Sequence, residues 1–88
     1  MGKERNYWWV YLLKCKGGSL YCGITNNLRK RILAHARGKG SKYVRSRLPF
    51  ILEWCNGFET KSEALKEEYR IKQLKRSKKL ALIYGDKK

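Results

Sequence analysis

A pair of strands joined by a tight glycine turn stands near the start of the sequence and limits the folds open to the rest. Residues 7–15 are rich in aromatic and β-branched side chains, which favours an extended strand. Lys16-Gly17-Gly18 is typical of a hairpin turn, and residues 19–25 return as a second strand. The chain therefore begins as an antiparallel hairpin on which later elements must pack.

A helix and a loop are predicted to follow this hairpin. Asn26 or Asn27 can cap a helix that continues to about Arg37. Glycines and basic residues then fill positions 38–48, which predicts a loop. We expect the helix to lie against the hairpin and the loop to carry the chain to its next strand.

The second half of the chain predicts one strand and two helices. Residues 50–55 follow Pro49 as a third strand, and the turn residues at 56–57 end it. A capping box at 60–63 opens a long helix to about residue 76, and a short helix follows. The order β-β-α-β-α-α predicts an α/β (α+β) fold, a three-stranded antiparallel sheet flanked by helices. We expect one domain over residues 1–88, with its core at about 7–83.

Positive charge dominates the composition. The sequence holds 22 Lys and Arg against 7 Asp and Glu, which gives a formal net charge of +15. Self-repulsion of this size destabilises a compact chain unless a polyanion lies nearby. An anionic membrane surface usually goes with a lipid anchor or a basic amphipathic helix, so no membrane partner is expected. We therefore expect the phosphate backbone of nucleic acid as the partner.

The cysteines indicate a reducing compartment. Cys15, Cys22 and Cys55 form an odd set without the CxxC spacing of a structural zinc site. Because all three lie in apolar, strand-like runs, we expect small buried core residues. Reduced cysteines suit a cytoplasmic protein. The apolar run at 7–13 is too short for a signal sequence or a membrane span.

Two polar residues lie beside the apolar stripe of the first helix. That stripe is formed by Leu28, Ile32 and Ala36. Arg31 and His35 are one turn apart next to it, so both should point toward the sheet. An arginine fork matches phosphate oxygens, and a histidine can transfer protons near neutral pH. Taken singly, each is more often a residue at the edge of the core.

A carboxylate occupies a core-facing position in the long helix. Glu67 shares the spacing of Ala64, Ile71 and Leu74. A buried carboxylate needs a partner, because removing its charge from water is costly. That partner could be Arg31, as a structural ion pair, or a divalent cation, which prefers carboxylate oxygen. The sequence leaves both open, and the two are compatible.

Two phenols lie on the paired strands of the hairpin. Strand alternation puts Tyr11 on one face of its strand, and Tyr21 shares a face with Gly23 on the neighbouring strand. Such tyrosines are usually ordinary aromatic residues. Here Gly23 would leave open backbone near Tyr21, where a ligand could approach closely. One site could therefore combine two phenols, an arginine, a histidine and a carboxylate.

These residues occur in a recognisable arrangement. The tyrosines of the triplets Trp9-Val10-Tyr11 and Tyr21-Cys22-Gly23 lie ten positions apart, and Arg31 follows ten positions later. With Glu67 on a later helix, the pattern resembles the GIY-YIG nuclease domain over roughly residues 7–83. The resemblance is nearest to the small stand-alone branch, similar to the N-terminal nuclease domain of the UvrABC excision-repair endonuclease.

The resemblance implies a role for each polar residue. Tyr21 would activate or orient the attacking water, and Tyr11 would position that water or the phosphate. Arg31 would stabilise charge that develops on the phosphate, and His35 would act as a general acid or base. Glu67 would hold one Mg²⁺ or Mn²⁺ ion.

The implied activity is a divalent-metal-dependent endonuclease that hydrolyses DNA phosphodiester bonds, in repair or recombination. The alternative is a non-catalytic nucleic-acid-binding module on the same scaffold. DNA is expected over RNA, and a protein partner or a homodimer could supply specificity.

The predicted nucleic-acid surface combines basic residues with one aromatic side chain. Its members are Lys39, Lys42, Tyr43, Arg45, Arg47 and Lys72. Tyr43 could stack on an unpaired base, or it could pack within a solvated loop. The basic residues should add affinity for phosphates without reading the base sequence.

Overall fold

Three strands form one antiparallel sheet in the computed structural model, which describes residues 7–85. The strands are β1 (Trp8–Cys15), β2 (Leu20–Thr25) and β3 (Phe50–Phe58), and β1 lies between the other two. The helices are α1 (Leu28–Ala36), α2 (Lys42–Arg45), α3 (Lys61–Lys72) and α4 (Arg76–Tyr84). The α+β fold and its order of strands and longer helices are therefore confirmed.

Both faces of the central strand are covered. Val10 and Leu12 of β1 pack with Ala64 and Ile71 of α3, and all four are fully buried. On the opposite face, Tyr11 and its β1 neighbours pack against Val44 of α2 and the side chains of α1. A strand buried on both faces reads as a continuous apolar run rather than an alternating one. The resulting layers are helices, sheet and helices.

The predicted loop at 38–48 contains a helical turn, α2. The Ser41 hydroxyl caps this turn by accepting a hydrogen bond from the Val44 backbone N–H at 3.2 Å. The Val44 side chain is fully buried against the sheet. The prediction of an unstructured connection is wrong here, because one capping serine and one apolar anchor suffice to order a single turn.

Two element boundaries also differ from the sequence prediction. β3 passes through Asn56 and Gly57 to Phe58, since Gly57 stays paired with Trp9 and lies against the Trp9 ring. Pairing with β1 thus overrides the turn preference of the Asn-Gly pair. α3 starts with the expected capping box, but it ends at Lys72 rather than near residue 76.

The cysteines are reduced, and their burial differs. Cys15 and Cys22 are buried, whereas Cys55 is exposed. The prediction of three buried cysteines is therefore wrong for Cys55. It lies on β3, one of the two outer strands of the sheet, at a position that the helices leave uncovered. Within residues 7–85, no helix is long and apolar enough to cross a membrane.

Candidate active site

A buried hydrogen bond joins Tyr11 to His35 on the face of the sheet covered by α1 and α2. The Tyr11 hydroxyl lies 2.8 Å from His35 Nε2, and each residue is about 1% exposed. The two rings meet edge-on, with 5.8 Å between their centroids. His35 is the buried residue of α1, whereas Ala36 of the apolar stripe is exposed. The side chain of His35 therefore forms a buried contact between α1 and the sheet.

Burial keeps this pair uncharged at neutral pH. It lowers the pKa of His35, and the nearby Arg31 charge lowers it further. Burial also raises the pKa of Tyr11 well above its usual range, an effect that Tyr21 and Glu68 strengthen and Arg31 opposes. Tyr11 therefore stays protonated and His35 neutral. Either the phenol O–H donates to Nε2, or a protonated Nε2 donates to the phenol oxygen.

The second ring nitrogen of His35 is buried beneath the connection that follows α1. Nδ1 has no hydrogen-bond partner among the described side chains and backbone. A Cβ atom on Gly40 would overlap the imidazole ring, so the backbone approaches this histidine at the closest distance glycine allows. His35 is thereby fixed between the Tyr11 hydroxyl and the Gly40 backbone.

Tyr21 of β2 is the second phenol of the cluster and is half-buried. Its ring centroid lies 5.5 Å from that of His35 and 6.3 Å from that of Tyr11. Tyr21 pairs with Leu13 across the hairpin, and Tyr11 pairs with Gly23. Since Tyr11 is buried, Tyr21 is the phenol of this cluster that can meet a substrate.

Gly23 does not leave the open space predicted from the sequence. A Cβ atom at this position would lie 2.6 Å from the Tyr11 hydroxyl oxygen and 3.1 Å from the Tyr21 ring. The space that a side chain would occupy is filled by these two phenols. The glycine is therefore needed for close packing of Tyr11 across β2, and the expectation of a vacant approach route is wrong.

Arg31 lies beside the cluster at the corner between β2 and α1. The Asn27 backbone N–H donates to Thr25 Oγ1 at 3.0 Å, and Asn27 Oδ1 accepts from the Lys30 N–H at 3.0 Å. These bonds fix the start of the helix that carries Arg31. A cleft of about 240 Å³ opens there, lined by Thr25, Asn26, Asn27, Lys30, Arg31 and Ala34. It presents two cationic side chains, those of Lys30 and Arg31, which suits a phosphate group.

Glu67 pairs with Arg70 of its own helix rather than with Arg31. The Arg70 guanidinium donates to both carboxylate oxygens, at 2.9 Å and 2.7 Å. This hydrogen bonding lowers the pKa of Glu67, although burial opposes the shift. Of the two partners that the sequence leaves open for Glu67, Arg31 and a divalent cation, the first gives way to Arg70, three residues along α3, where helix geometry brings the two side chains together.

Glu68 is a second carboxylate at the same place in α3. Its side chain is 18% exposed, as is that of Glu67, and it pairs with Lys72 at 3.1 Å. Of the two, Glu68 contributes to the raised pKa of Tyr11. Its position was detectable in the sequence, because Glu68 lies four residues after Ala64 and three before Ile71, both core residues.

The sheet separates these carboxylates from the tyrosine cluster. α3 packs on the face that holds Cys22, whose pKa is raised to about 12 by burial and then by Glu68. Tyr11 and His35 belong to the opposite face. β2 is an outer strand, and the Tyr11 hydroxyl lies over its Gly23. A site that unites phenols, arginine and carboxylate would therefore lie along the free edge of β2.

The donor set at this edge fits one weakly held divalent ion. Residues 7–85 contain no cluster of three or more His, Cys, Asp or Glu side chains that could enclose a metal. Mg²⁺ commonly keeps several waters and takes one or two protein carboxylates together with substrate phosphate oxygens. Glu67 and Glu68 can supply such a carboxylate, in keeping with a site that substrate completes.

The predicted nucleic-acid surface is divided between two regions. Lys39, Lys42 and Arg45 are exposed around α2, on the side of the tyrosine cluster. Tyr43 is 37% exposed and stacks on Tyr21, with ring centroids 5.7 Å apart. Arg47 lies over the Tyr43 ring at 3.8 Å from its centroid. Lys72 is exposed on α3, where it pairs with Glu68.

Comparison with known proteins relates the chain to a family. A sequence model described as the GIY-YIG catalytic domain matches residues 7–81. UPF0213 proteins of Oceanobacillus iheyensis and Nitratidesulfovibrio vulgaris are 55% identical over 80 residues and 48% identical over 82 residues. These matches cover 91% and 93% of this chain, and 91% and 74% of the respective relatives.

Solved structures agree with the sequence matches. The solution NMR structure of a UPF0213 protein from Bacillus halodurans aligns with a TM-score of 0.59 at 46% identity, over 89% of this chain and 83% of that one. A protein from E. faecalis aligns with a TM-score of 0.63 at 33% identity, over 99% and 96% of the two chains. The family that the triplets and the arginine resemble is therefore the family that these comparisons show, and the chain belongs to the GIY-YIG family.

Proposed function

We propose that this chain is a divalent-metal-dependent endonuclease that hydrolyses DNA phosphodiester bonds. The observation that carries the proposal is the cluster of Tyr11, His35 and Tyr21 beside Arg31. A tyrosine hydrogen-bonded to a histidine inside a small core is costly for stability alone, because apolar residues of similar size would fill that space without polar atoms. Polar groups kept at such a place are better explained by chemistry.

The reaction would add water to phosphorus and release one bridging oxygen. A new bond forms between the water oxygen and phosphorus, and the bond from phosphorus to the leaving sugar oxygen breaks. One water proton must be accepted by the protein, and the leaving sugar oxygen takes up one proton from solvent. Tyr21, the half-buried phenol, would orient the water. His35 would accept the proton by way of the Tyr11 hydroxyl, because burial keeps its imidazole neutral.

Positive charge would stabilise the phosphate during this step. Arg31 lies where its charge already acts on both Tyr11 and His35. A guanidinium there can bind the phosphate oxygens on which negative charge develops. A Mg²⁺ or Mn²⁺ ion held by Glu67 or Glu68 would polarise those oxygens when bound. Both carboxylates are candidates for this role, because each is 18% exposed on the same part of α3 and each is paired with one cation.

Substrate binding would use the exposed cations around α2. Lys39, Lys42, Arg45 and Arg47 lie on the same side of the sheet as the phenols, and their contacts would be to phosphates rather than bases. Such contacts give affinity that falls steeply as salt concentration rises. Specificity would then depend on DNA structure, so nicked, branched and single-stranded forms are the substrates to compare. A place in repair or recombination would follow from cleavage of such forms.

The test is incubation of the pure protein with this panel of DNA structures and Mg²⁺ or Mn²⁺. We expect metal-dependent cleavage that Tyr21→Phe reduces by about a hundredfold or more while DNA binding is retained. Tyr69→Phe is the matched control, since Tyr69 is 68% exposed on α3. A Tyr21→Phe protein that cleaves DNA at the wild-type rate would contradict the role assigned to this tyrosine.

A non-catalytic nucleic-acid-binding module is the second candidate. The observation in its favour is that both carboxylates of α3 are already paired, Glu67 with Arg70 and Glu68 with Lys72. This candidate predicts salt-dependent DNA binding with no turnover of any substrate in the panel, with either metal. The same experiment therefore separates the two.

A further inference from the structure

The connection between α1 and β3 contacts the candidate site at three points. The Gly40 backbone lies against the His35 ring, and Val44 is fully buried beside Tyr11 and its β1 neighbours. Between these points, the Tyr43 ring stacks on Tyr21 with 29° between their planes. We call residues 40–47 the covering segment. It forms one wall of the cluster, although the sequence predicts a solvated loop there.

Tyr43 is held firmly within the covering segment. Its backbone carbonyl accepts a hydrogen bond from Arg47 Nη1 at 3.1 Å, and the same nitrogen donates to Ser46 Oγ at 3.0 Å. These bonds hold the guanidinium over the Tyr43 ring, in a cation–π contact. At the end of the segment, the Arg47 carbonyl accepts from the Lys16 backbone N–H at 2.9 Å. Arg47 thus ties Tyr43 to the turn of the hairpin, while the Tyr43 ring contacts Tyr21 of β2.

Tyr21 lies on an outer strand and is half-buried at the edge of the cluster that holds Tyr11 and Val44. Among residues 7–85, its aromatic contacts besides Tyr43 are the edge-on approach to His35 and the tilted approach to Tyr11. A phenol that orients water must hold its oxygen within a fraction of an ångström of the productive position. The stacked Tyr43 ring restricts the motion of Tyr21 that β2 alone would allow.

We propose that Tyr43 is a positioning residue, which holds the phenol of Tyr21 in the orientation that cleavage requires. The inference rests on the proposed endonuclease function, and it concerns a residue that does not touch the reacting atoms. It also bears on how DNA is bound. Part of the Tyr43 ring surface already contacts Tyr21 and Arg47, so an unpaired base could stack there only by displacing one of them.

Kinetics separate positioning from base stacking. We expect Tyr43→Ala to lower kcat by about tenfold to a hundredfold with KM within about twofold of the wild-type value. Tyr43→Phe keeps the ring and should retain kcat. Lys42→Ala, an exposed neighbour in α2, should raise KM alone, because it removes a phosphate contact. A Tyr43→Ala protein with raised KM and unchanged kcat would overturn the proposal in favour of a base-stacking role.

NMR of the free protein tests the same inference without activity. We expect the ring proton resonances of Tyr21 and its cross-peaks to the His35 ring to change in Tyr43→Ala and to persist in Tyr43→Phe. Tyr69→Ala serves as the control, and the dispersion of backbone amide resonances reports that each variant is folded. Tyr21 signals that are unchanged in folded Tyr43→Ala would overturn the positioning role.

The two proposals can fail separately. A wild-type protein that cleaves no DNA contradicts the endonuclease function, while the Tyr21 resonances still report whether Tyr43 holds the ring. A wild-type protein that cleaves DNA, with a Tyr43→Ala variant of equal kcat and KM, contradicts the positioning role alone. Should Tyr43→Ala fail to fold, Tyr43→Leu keeps apolar bulk without a stacking ring and is expected to show the same loss of kcat.

Discussion

The two faces of the sheet are built from different chemistry. On the α3 face, Val10, Leu12 and Ile71 are fully buried apolar side chains. On the α1 and α2 face, the buried residues include Tyr11 and His35, which share one hydrogen bond, while His35 Nδ1 has no partner among the described residues. The apolar face contributes stability through its removal from water. The polar face gives up part of that contribution, which is the pattern expected if its residues serve the proposed chemistry.

The free edge of β2 is where the two faces meet. The phenols lie on one side of this edge, and α3, which carries the two carboxylates, packs on the other side around Cys22. At the edge of a sheet, groups from opposite faces can act on one substrate. The contrast between the faces therefore matches the proposed roles, with the proposed anion-binding and proton-transfer groups on one face and the proposed metal ligand on the other.

The largest expected effect concerns which of the two α3 carboxylates, Glu67 or Glu68, holds the metal ion. We expect loss of the carboxylate that holds the metal ion to lower kcat by about a hundredfold or more. Glu67 and Glu68 are equally exposed and each is paired with a cation of α3, and the sequence predicts the larger loss for Glu67→Gln. Rates of cleavage by Glu67→Gln and Glu68→Gln at saturating Mg²⁺ or Mn²⁺ measure both effects. A larger loss in Glu68→Gln would assign the metal to Glu68.

Gly40→Ala, on the polar face, is expected to have an effect of intermediate size on stability and kcat. The added methyl group would overlap the His35 ring, which is buried and cannot move into solvent. We expect a loss of about 1–3 kcal/mol in the free energy of unfolding, as for other overpacked cores. The Tyr11 hydrogen bond should be displaced as well, with kcat reduced about tenfold. Lys39→Ala is the control, because Lys39 is exposed next to Gly40.

Chemical denaturation and cleavage assays of the Gly40→Ala and Lys39→Ala proteins provide these measurements. Lys39→Ala should leave both stability and kcat near the wild-type values and weaken DNA binding alone. A Gly40→Ala protein as stable and active as the wild type would show that the covering segment can move away from His35. The polar face would then be less rigid than its contacts indicate.

The smallest effect is a pH dependence of stability that separates the faces. The pKa of His35 is lower in the folded protein than the usual value of about 6.5, because burial and Arg31 disfavour its charged form. The unfolded chain therefore binds more protons, and stability is full above about pH 6.5 and falls as pH decreases through the folded pKa. Unfolding midpoints should therefore decrease as the pH of the measurement is lowered from 7 to 5.

Stability also changes over a second, lower pH range, and the group responsible there is Glu67 of α3. The pKa of Glu67 is lowered, first by its hydrogen bonds from Arg70, so its contribution is present above its ordinary pKa and is lost below it. His35 is the single histidine of the sequence, so His35→Gln should remove the upper window and leave the lower one. Persistence of the upper window in His35→Gln would show that another group causes it.

The sequence predicted the fold well where local signals agree with tertiary packing. The hairpin, the cap of α1 and the capping box of α3 each have a residue pattern that acts within a few positions, and all are present. β3 and α2 were predicted less well. The length of β3 depends on pairing with β1, and α2 depends on the burial of Val44. Neither is encoded in its own segment alone.

The same division applies to the candidate site. The spacing of Tyr11, Tyr21 and Arg31 sufficed to identify the family, and helix periodicity placed His35 toward the sheet. Periodicity did not separate Glu67 from Glu68, because both lie within one turn of the buried residues of α3. Nor did it reveal the Tyr43 stack, since contacts between α2 and β2 join residues far apart in the chain. Catalytic roles and the metal ligand remain predictions for the experiments above.

What the sequence by itself determined is the family, the α+β architecture and a strongly cationic surface. These follow from short-range patterns and from a net charge of +15, which do not depend on how distant segments meet. Only the tertiary structure decided that Tyr11 bonds to His35, that Glu67 pairs with Arg70 rather than with Arg31, and that Tyr43 covers Tyr21. The physical reason is that such contacts are fixed by side-chain packing between elements, where several partners of similar chemistry compete for one position.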